Sequence, residues 1–498
     1  MVLLTGSGSR PGEDPQSAPT RKSGKKDLLD RYFKITERGS SYSREIRGGL
    51  VTFITMAYIV ILNPLILGGF GPDSATLDVE GGWLEAAQVG AVTALTAGVM
   101  TIIFGIAANL PFGIAAGLGI NSFLAVSVVG DVTWPEAMGL VVINGLLIVL
   151  LAVTGAREAI FNAVPPALKA AITVGIGLFI AFIGFVDSGF VQGTEGGPPV
   201  QLGDGGSITA VPTLVFLLGV ILMGILVARK VTGGLLIGMV ATTVIAVVVE
   251  SILKLGPAFE NPGGWHLNVP ALPSSIFAVP DLSLVGEFSF GAFERIGALA
   301  ATMLVFTLVF TNFFDAMGTM TGLAKSAGLA DKKGNFPGLK AALIVEGAGA
   351  VAGGATSASS NTVFIDSASG IAEGARTGLA SVVTGTLFLA AMFLTPLTAV
   401  VPLEAAAAAL VVVGAMMVAQ IKEINFKNFS IALPAFLTII TMPLTYSIAN
   451  GIGIGFISWV LIRAASGKAH KIHWLMWLTA AGFVLYFARG PVSAALGT

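Results

Sequence analysis

Four acidic residues lie inside apolar stretches in the second half of the chain: Asp315, Glu346, Asp366 and Glu373. Asp315 lies in the motif Phe314-Asp315-Ala316-Met317-Gly318-Thr319, within an apolar run from about 296 to 320 that holds no other charge. A carboxylate in hydrocarbon costs roughly 2.5–3.5 kcal/mol on insertion scales, so it needs a protein partner or a water-filled cavity. The pattern therefore indicates a polar pathway in which carboxylates bind a ligand or carry protons.

Each acid also has a structural explanation. Asp315 lies on a polar helix face, where it either meets substrate or protons or forms a hydrogen bond to a neighbouring helix. Glu346 lies mid-helix in an apolar stretch. Its role is either proton coupling or a hydrogen bond that supports the pocket. Glu373 and Arg376 are spaced i, i+3, which favours an ion pair on one helical face over a ligand site.

Two stretches at matched places in the chain are poor helix formers. The first, 111–122, is rich in Gly and Pro, and the second, 353–362, is nearly all small and polar. Unpaired backbone in hydrocarbon is costly, so both must line a cavity or pair with other backbone. We predict that each forms a short extended segment leading into a half-helix, whose N-terminal N–H groups point at a polar ligand. Close helix packing by small residues is the alternative.

Side chains beside these two breaks form the predicted binding surface. The hydroxyl and amide candidates are Asn121, Thr356, Ser357, Ser359 and Asn361, and the candidates for stacking on a flat ring are Phe123 and Phe364. Against these roles, Ser and Thr often bond their own helix backbone, and Phe side chains commonly pack in the core.

The composition is that of a polytopic membrane protein. Of 498 residues, 54% are hydrophobic and 11% are charged, against about a quarter charged in soluble domains. The chain has no Cys and only three His, all outside the apolar segments, which excludes disulfides, thiolate metal sites and an intramembrane His site. No cofactor and no metal are expected.

Hydropathy predicts an all-α chain with fourteen membrane segments. The apolar runs fall at about 50–68, 88–108, 113–129, 136–153, 166–187, 211–229, 233–253, 296–320, 338–353, 359–374, 377–396, 402–420, 430–447 and 449–464, with an extra one at 473–488. Residues 1–27 read as a disordered cytoplasmic tail, and 255–294 as an extracellular loop.

The distribution of charge gives the orientation. The segment before residue 50 carries ten Lys or Arg, which places the N-terminus in the cytoplasm. On this side fall Arg157, Lys325, Lys332–Lys333, Arg376, Lys422 and Arg463. The opposite loops, 69–87 and 188–210, contain acids such as Asp73 and Glu195 and no Lys or Arg.

The two halves share local patterns. Val164-Pro165 before an Ala-rich helix recurs as Val401-Pro402, and a Gly-spaced helix follows at the corresponding place in each half. Seven crossings per copy invert the second copy, so we predict inverted repeats at 45–254 and 295–466. Inverted repeats with broken helices are typical of alternating-access transporters with a midplane site; chance likeness among Ala/Gly/Val-rich helices is the alternative.

Four stretches point to a known family: Glu45–Ile59 followed by Asn63-Pro64, Gly117–Asn121, Phe314–Thr319 and Asp366–Leu379. On them the chain resembles the nucleobase–cation symporter-2 permeases, specifically the AzgA-like purine permeases. Two positions depart from the usual pattern, since the family commonly has Glu where Asp366 stands and Asp where Glu346 stands. The family also commonly has Pro-Gly-Met-Gly-Leu-Asn where this chain has Ala116 to Asn121.

The resemblance implies a fold of core and gate domains and proton symport of adenine, guanine or hypoxanthine across the cell membrane. By the same resemblance, Asp366 is the carboxylate that faces Asp315; otherwise it caps the short helix near Ser367. The fold also makes a homodimer possible. Alternatives are a uracil, xanthine or anion carrier on the same fold, an intramembrane aspartyl hydrolase, or a passive channel.

Overall fold

The computed structural model describes residues 28–156, 163–194, 198–273, 275–330 and 336–496, with side chains described up to residue 488. The tail predicted at 1–27 lies outside the described residues. So do Arg157, Glu195 and Lys332–Lys333, which contributed to the orientation argument.

The first half of the chain is helical, with one break inside its third apolar run. Its elements are α1 (Leu28–Phe33), α2 (Tyr42–Met56), α3 (Ile59–Leu67), α4 (Ala86–Ala108), β1 (Ile114–Ala116), α5 (Leu118–Ser127), α6 (Trp134–Thr154), α7 (Pro166–Asp187), a hairpin of β2 (Val191–Gly193) and β3 (Val200–Leu202), α8 (Val211–Ala228) and α9 (Gly234–Leu253). The helix starts carry local signals, such as the Thr133–Glu136 capping box of α6 and the prolines that begin α7.

The second half repeats this order of long helices around a broken segment. Its elements are α10 (Ala292–Arg295), α11 (Ala298–Ser326), α12 (Leu339–Ala355), β4 (Asn361–Val363), α13 (Ser367–Ala372), α14 (Gly378–Ala391), a 3₁₀ stretch at Met392–Val400, α15 (Leu403–Val418), α16 (Phe429–Leu444), α17 (Ile448–Arg463) and α18 (Trp474–Leu496).

Ten helical stretches among the described residues are long and apolar enough to cross a bilayer, so the chain is a mostly helical, multi-pass membrane protein. The remaining predicted segments are shorter than a full span. Two of them are broken into β1–α5 and β4–α13, and α12 and α16 have 17 and 16 residues. Hydropathy alone could not separate full from partial crossings, because a strand and a short helix together read as one apolar run.

The two predicted breaks are short strands that pair with each other. β1 and β4 are antiparallel, with Ile114 opposite Val363 and Ala116 opposite Asn361. Further backbone bonds, from Gly117 N to Ser360 O (2.9 Å) and from Phe364 N to Gly113 O (3.0 Å), extend the ladder. The backbone of each break is therefore satisfied inside the protein, as segments buried at membrane depth require.

The stretch before β4 folds tightly against the helix that precedes it. A Cβ on Gly353 would lie 1.8 Å from the carbonyl oxygen of Ser359, so only glycine fits there. Ser357 and Ser359 both have positive φ, 57° and 66°, which lets the chain reverse between α12 and β4.

The helices pack in two groups. In one, α12 packs on α6 and α4, and α14 packs on α2 and α4; in the other, α15 packs on α7 and α8, and α16 packs on α7 and α17. Helix α11 contacts β4 and α13 of the first group and α7 and α17 of the second. We call the interface between the two groups the seam. Because α11 contacts both groups as well as β4, the seam lies beside the ends of the two strands.

The long loop at 255–294 is tied to the ends of neighbouring helices. The ring Nδ1 of His266 lies 2.9 Å from Oε1 of Glu404, a buried residue in the first turn of α15. The indole of Trp265 donates to Glu250 (2.9 Å), and Arg295 contacts both Glu136 and Glu80. The hydrogen bond to Glu404 raises the pKa of His266 above its usual 6.5; burial opposes this, and the charges of Glu404 and Asp187 add to it.

We expect His266→Gln to destabilise the protein most at acidic pH, by about 1 kcal/mol. Because the folded-state pKa of His266 is raised, its contribution is fully present below the unfolded value of 6.5 and is lost as the pH rises through the folded value. Thermal unfolding of purified protein across this range should therefore show the difference from the native chain narrowing as the pH rises. His470→Gln, at an exposed histidine, is the matched control. A pH-independent difference would contradict the assignment.

Candidate functional site

A cavity of about 180 Å³ lies at the seam between the two helix groups. A single buried water needs only roughly 10–15 Å³ by a comparable measure, so the cavity has room for a small organic molecule. Its polar side is formed by α11, the β4–α13 junction and the start of α5, and its apolar side by α7 and α15. The lining includes Tyr58, Gly117, Leu118, Gly119, Ile120, Thr173, Ile176, Ile180, Thr311, Asp315, Thr319, Thr362, Phe364, Ile365, Asp366, Val413, Met416, Met417 and Gln420.

Two carboxylates reach this cavity from different elements. Asp315 comes from the middle of α11, and Asp366 from the residue that precedes α13. Both side chains are partly exposed, although the residues around them are mostly buried. The Asp366 side chain makes no capping bond to α13, so the capping explanation for this residue fails. The structure thus places two of the four acids that the sequence singled out, Asp315 and Asp366, at one cavity.

The Tyr58 hydroxyl lies 3.5 Å from Oδ2 of Asp366, at the long limit for a hydrogen bond. Tyr58 is at the junction between α2 and α3, and Thr55, one turn earlier, donates to the Asp366 carbonyl oxygen (3.3 Å). The junction of α2 and α3 therefore holds Asp366 from one side and leaves its carboxylate with capacity for further donors.

Two hydroxyls at the cavity are buried and have no hydrogen-bond partner among the described residues: Thr311 Oγ1 and Thr362 Oγ1. Buried hydroxyls are normally satisfied by protein, water or ligand. Backbone adds further donors, because Leu118 and Gly119 line the cavity as the first residues of α5, and the first N–H groups of a helix have no intrahelical partner. The site therefore offers both donors and acceptors on its strand side.

The opposite wall is apolar. It is formed by Ile176 and Ile180 of α7 together with Val413 and Met416 of α15. Phe364 is 7% exposed and also lines the cavity, so its ring, like that of Tyr58, belongs to the same lining as the two carboxylates. A flat, polar-edged ligand matches such a site, with its faces against apolar side chains and its edge against acids and hydroxyls.

Glu346 lies behind this surface. It is fully buried in the middle of α12 and does not line the cavity, but it is close enough to Asp315 for the two carboxyl groups to interact electrostatically. The structure therefore places a fully buried acid within electrostatic range of Asp315.

The other predicted binding residues stand away from the cavity lining. Asn121 donates to Asn63, the Thr356 hydroxyl is 2.7 Å from that of Thr96, and Ser359 and Asn361 are fully buried at the start of β4. Phe123 is 2% exposed in the main hydrophobic core. These side chains lie next to the breaks, as expected, but they are not part of the cavity lining.

The predicted Glu373–Arg376 ion pair is wrong. Glu373 pairs with Arg47 of α2 at 2.9 Å, and the Arg376 guanidinium donates to the carbonyl oxygens of Ile371 and Ala375. The reason is that α13 ends at Ala372, and Gly374 has φ +101°, so the two residues do not share a helical face.

Sequence reasoning missed Tyr58, Thr311 and Thr362 as cavity residues. Tyr58 lies within one of the motifs that carry the family resemblance, and Thr311 is one turn before Asp315 on the same face. The motif around Tyr58 and the spacing of Thr311 from Asp315 were therefore both visible in the sequence. No feature near Thr362 distinguishes it from its small polar neighbours.

The lining contains no Lys, Arg or His among the described residues. Nor does the described part of the chain bring three His, Cys, Asp or Glu side chains into a group that could hold a metal ion. The charge of the site is therefore set by its carboxyl groups.

This architecture is that of a polytopic membrane transporter. A solved structure of the transmembrane domain of the cyanobacterial bicarbonate transporter BicA shares the fold, with a TM-score of 0.56 and 15% identity over 83% of this chain and 96% of that one. Residues 43–454 match the model of Xan_ur_permease, described as a permease family, and the chain belongs to this family.

Relatives with established names cover nearly the whole chain. The guanine/hypoxanthine permease PbuG of Bacillus subtilis (strain 168) is 38% identical over 92% of this chain and 99% of its own length. The adenine permease AdeP of Escherichia coli (strain K12) is 34% identical over 92% of this chain and 95% of its own. The resemblance to AzgA-like purine permeases is thus confirmed, and the protein is a permease and not an enzyme.

Because the chain has no Cys, single cysteines can map the cavity. We expect a small polar thiol reagent to label Thr319→Cys and Ile365→Cys, at two cavity positions. Ser359→Cys, a fully buried near-isosteric control, should resist labelling. Mass spectrometry of the purified variants measures the modification. Equal labelling at all three positions would show that the cavity boundary is misplaced.

Proposed function

We propose that the protein is a secondary active transporter that imports the purine nucleobases adenine, guanine and hypoxanthine by proton symport with alternating access. The observation that carries the proposal is the meeting of Asp315 and Asp366 at one cavity that also presents an aromatic ring. The names of the relatives support the choice of purines.

Purine chemistry suits the groups that line the site. A purine carries ring N–H groups, and adenine and guanine also carry an exocyclic amine, so one edge offers donors to a carboxylate. We assign Asp315 and Asp366 to this edge, Phe364 to stacking on the ring face, and the hydroxyls of Thr311 and Thr362 to its acceptors. Asn121, Phe123, Thr356, Ser359 and Asn361 lie beside the breaks and outside the cavity lining, and we propose that they shape the site without contacting the ligand.

Proton coupling is proposed for Asp315 together with Glu346. Two carboxyl groups this close in an apolar interior repel each other when both are ionised, which favours a shared proton. Asp315 touches the cavity and Glu346 does not, so a proton arriving with substrate at Asp315 has an acceptor behind it. Substrate and proton binding are thereby linked through one residue.

Alternating access is proposed as movement between the two helix groups, with α1–α6 and α11–α14 as a core domain and α7–α9 and α15–α17 as a gate domain. The order of elements supports fourteen segments in a 7+7 inverted repeat. β1–α5 follows α4 as β4–α13 follows α12, and α7 follows Pro165 as α15 follows Pro402. Movement of the gate helices would uncover the cavity on one side or the other.

The proposal includes the orientation of the chain in the membrane. The basic residues at the N-terminal side place that end of the chain in the cytoplasm, with the 255–294 loop outside the cell membrane. A homodimer is part of the proposal on family resemblance alone. An anion carrier is disfavoured, because the cavity presents carboxylates and, among the described residues, no basic side chain.

Cells that lack their own nucleobase carriers should accumulate radiolabelled adenine, guanine or hypoxanthine when they express this protein. Asp315→Asn keeps the side-chain shape but removes the ionisable group, so uptake should fall to the level of cells without the protein. Glu373→Gln, which removes only the surface pair with Arg47, is the control and should keep most activity.

Uptake by Asp315→Asn at the native rate and equal membrane abundance would contradict the site. Accumulation of uracil or xanthine in place of the three purines would contradict the substrate assignment and leave the site standing.

A further inference from the structure

A second cavity, of about 110 Å³, lies where the chain passes from α17 to α18. Four basic side chains line it: Arg463 at the end of α17, Lys468 and Lys471 in the connector, and His473 just before α18. Ala163 and Pro165, before the first turn of α7, close one side, so the positive end of that helix dipole is also near the cavity.

The cations Arg463, Lys468 and Lys471 are not neutralised by the protein. None of the three pairs with a carboxylate in the part of the chain that the structure describes. Like charges held around one small cavity repel, so the arrangement is stable only with an anion or with solvent screening. The cluster thus presents a site for a negatively charged group.

One of the cations is held in place. The Arg463 guanidinium carbon lies 4.8 Å from the ring centroid of Trp459, and Trp459 is only 4% exposed. A cation over an indole face is attracted by the ring, and its N–H groups remain free at the edge of the guanidinium. Arg463 is therefore a pre-positioned donor set suited to the paired oxygens of a phosphate.

The surroundings place this cavity at the membrane surface. It adjoins the end of a spanning helix, and at the start of α18 Trp474 and Trp477 are 66% and 42% exposed. Exposed Trp is typical of the interface between hydrocarbon and headgroups. Ile472 and Met476 add an apolar flank to the same cavity, which an inorganic ion would not use and an acyl chain would.

We infer that this cavity binds the phosphate headgroup of an anionic phospholipid. The phosphate lies among Arg463, Lys468 and Lys471, and the acyl chains run beside Met476 along α18. Since α17, α18 and the start of α7 all contribute, the bound lipid fastens α18 to the helix group that forms the apolar wall of the main cavity. The inference stands on this second cavity and is independent of the transported substrate.

Native mass spectrometry of the purified full chain tests the site, with phosphatidylglycerol, phosphatidylcholine and inorganic phosphate as probes. Phosphatidylglycerol should bind more tightly than phosphatidylcholine. Each basic side chain near a membrane surface contributes about fivefold to the affinity for an anionic lipid. Lys468→Gln combined with Lys471→Gln should therefore weaken phosphatidylglycerol binding by about 25-fold.

Lys427→Gln, at an exposed lysine outside the cavity, is the matched control for general charge and should leave binding unchanged. Arg463→Lys keeps the charge but loses the paired N–H groups, so it should weaken phosphatidylglycerol binding with little change in thermal unfolding. Unchanged binding in the double variant, or an equal loss in Lys427→Gln, would overturn the inference. Displacement of the lipid by an equal concentration of inorganic phosphate would overturn the lipid assignment in favour of a free-phosphate site.

Discussion

The antiparallel pairing of β1 with β4 is the constraint on which the rest of the structure depends. Each strand interrupts a membrane segment, and an interruption in hydrocarbon is tolerated only if its backbone groups find partners. By pairing with each other, Ile114–Ala116 and Asn361–Val363 satisfy their backbones and bring the starts of α5 and α13 to the same region of the fold. The cavity follows from this pairing, because residues on either side of the ladder form its strand side.

The same pairing explains how carboxylates are kept inside an apolar protein. Asp366 comes soon after the end of β4 at Val363, and contacts with Tyr58 and Thr55 from the α2–α3 junction also position it. Asp315 comes from a continuous helix that contacts both helix groups. One acid thus sits on the broken segment and the other on the element that crosses the seam. A ligand held by both would be bound by two separate elements of the proposed core domain, against the apolar wall formed by the gate helices.

Much of this arrangement could be predicted from the sequence. Asp315 stood out because no other charge lies in its apolar run, and the two breaks stood out because Gly, Pro, Ser and Thr are rare together in a membrane helix. Phe364 was found by its distance from a break. These are local signals, and each depends on the cost of polar groups in hydrocarbon.

What could not be predicted depends on packing between distant segments. Asn121 and Asn361 looked as suitable as Thr362, but neither lines the cavity: Asn121 donates to Asn63 of α3, and Asn361 is fully buried at the start of β4. Glu373 has its partner in Arg47, far away in the chain, because α13 ends before the i, i+3 pair can form. Gly374 was the local signal for that end, since helices commonly stop before a glycine with positive φ.

The most direct test of the central claim is the proton movement that accompanies substrate entry. Purified protein in sodium-free vesicles, with a pH-sensitive dye trapped inside, should acidify the interior when adenine, guanine or hypoxanthine is added outside. Vesicles with Asp315→Asn should show no substrate-dependent acidification. Purine entry without any change in interior pH, or entry that requires sodium, would contradict the account.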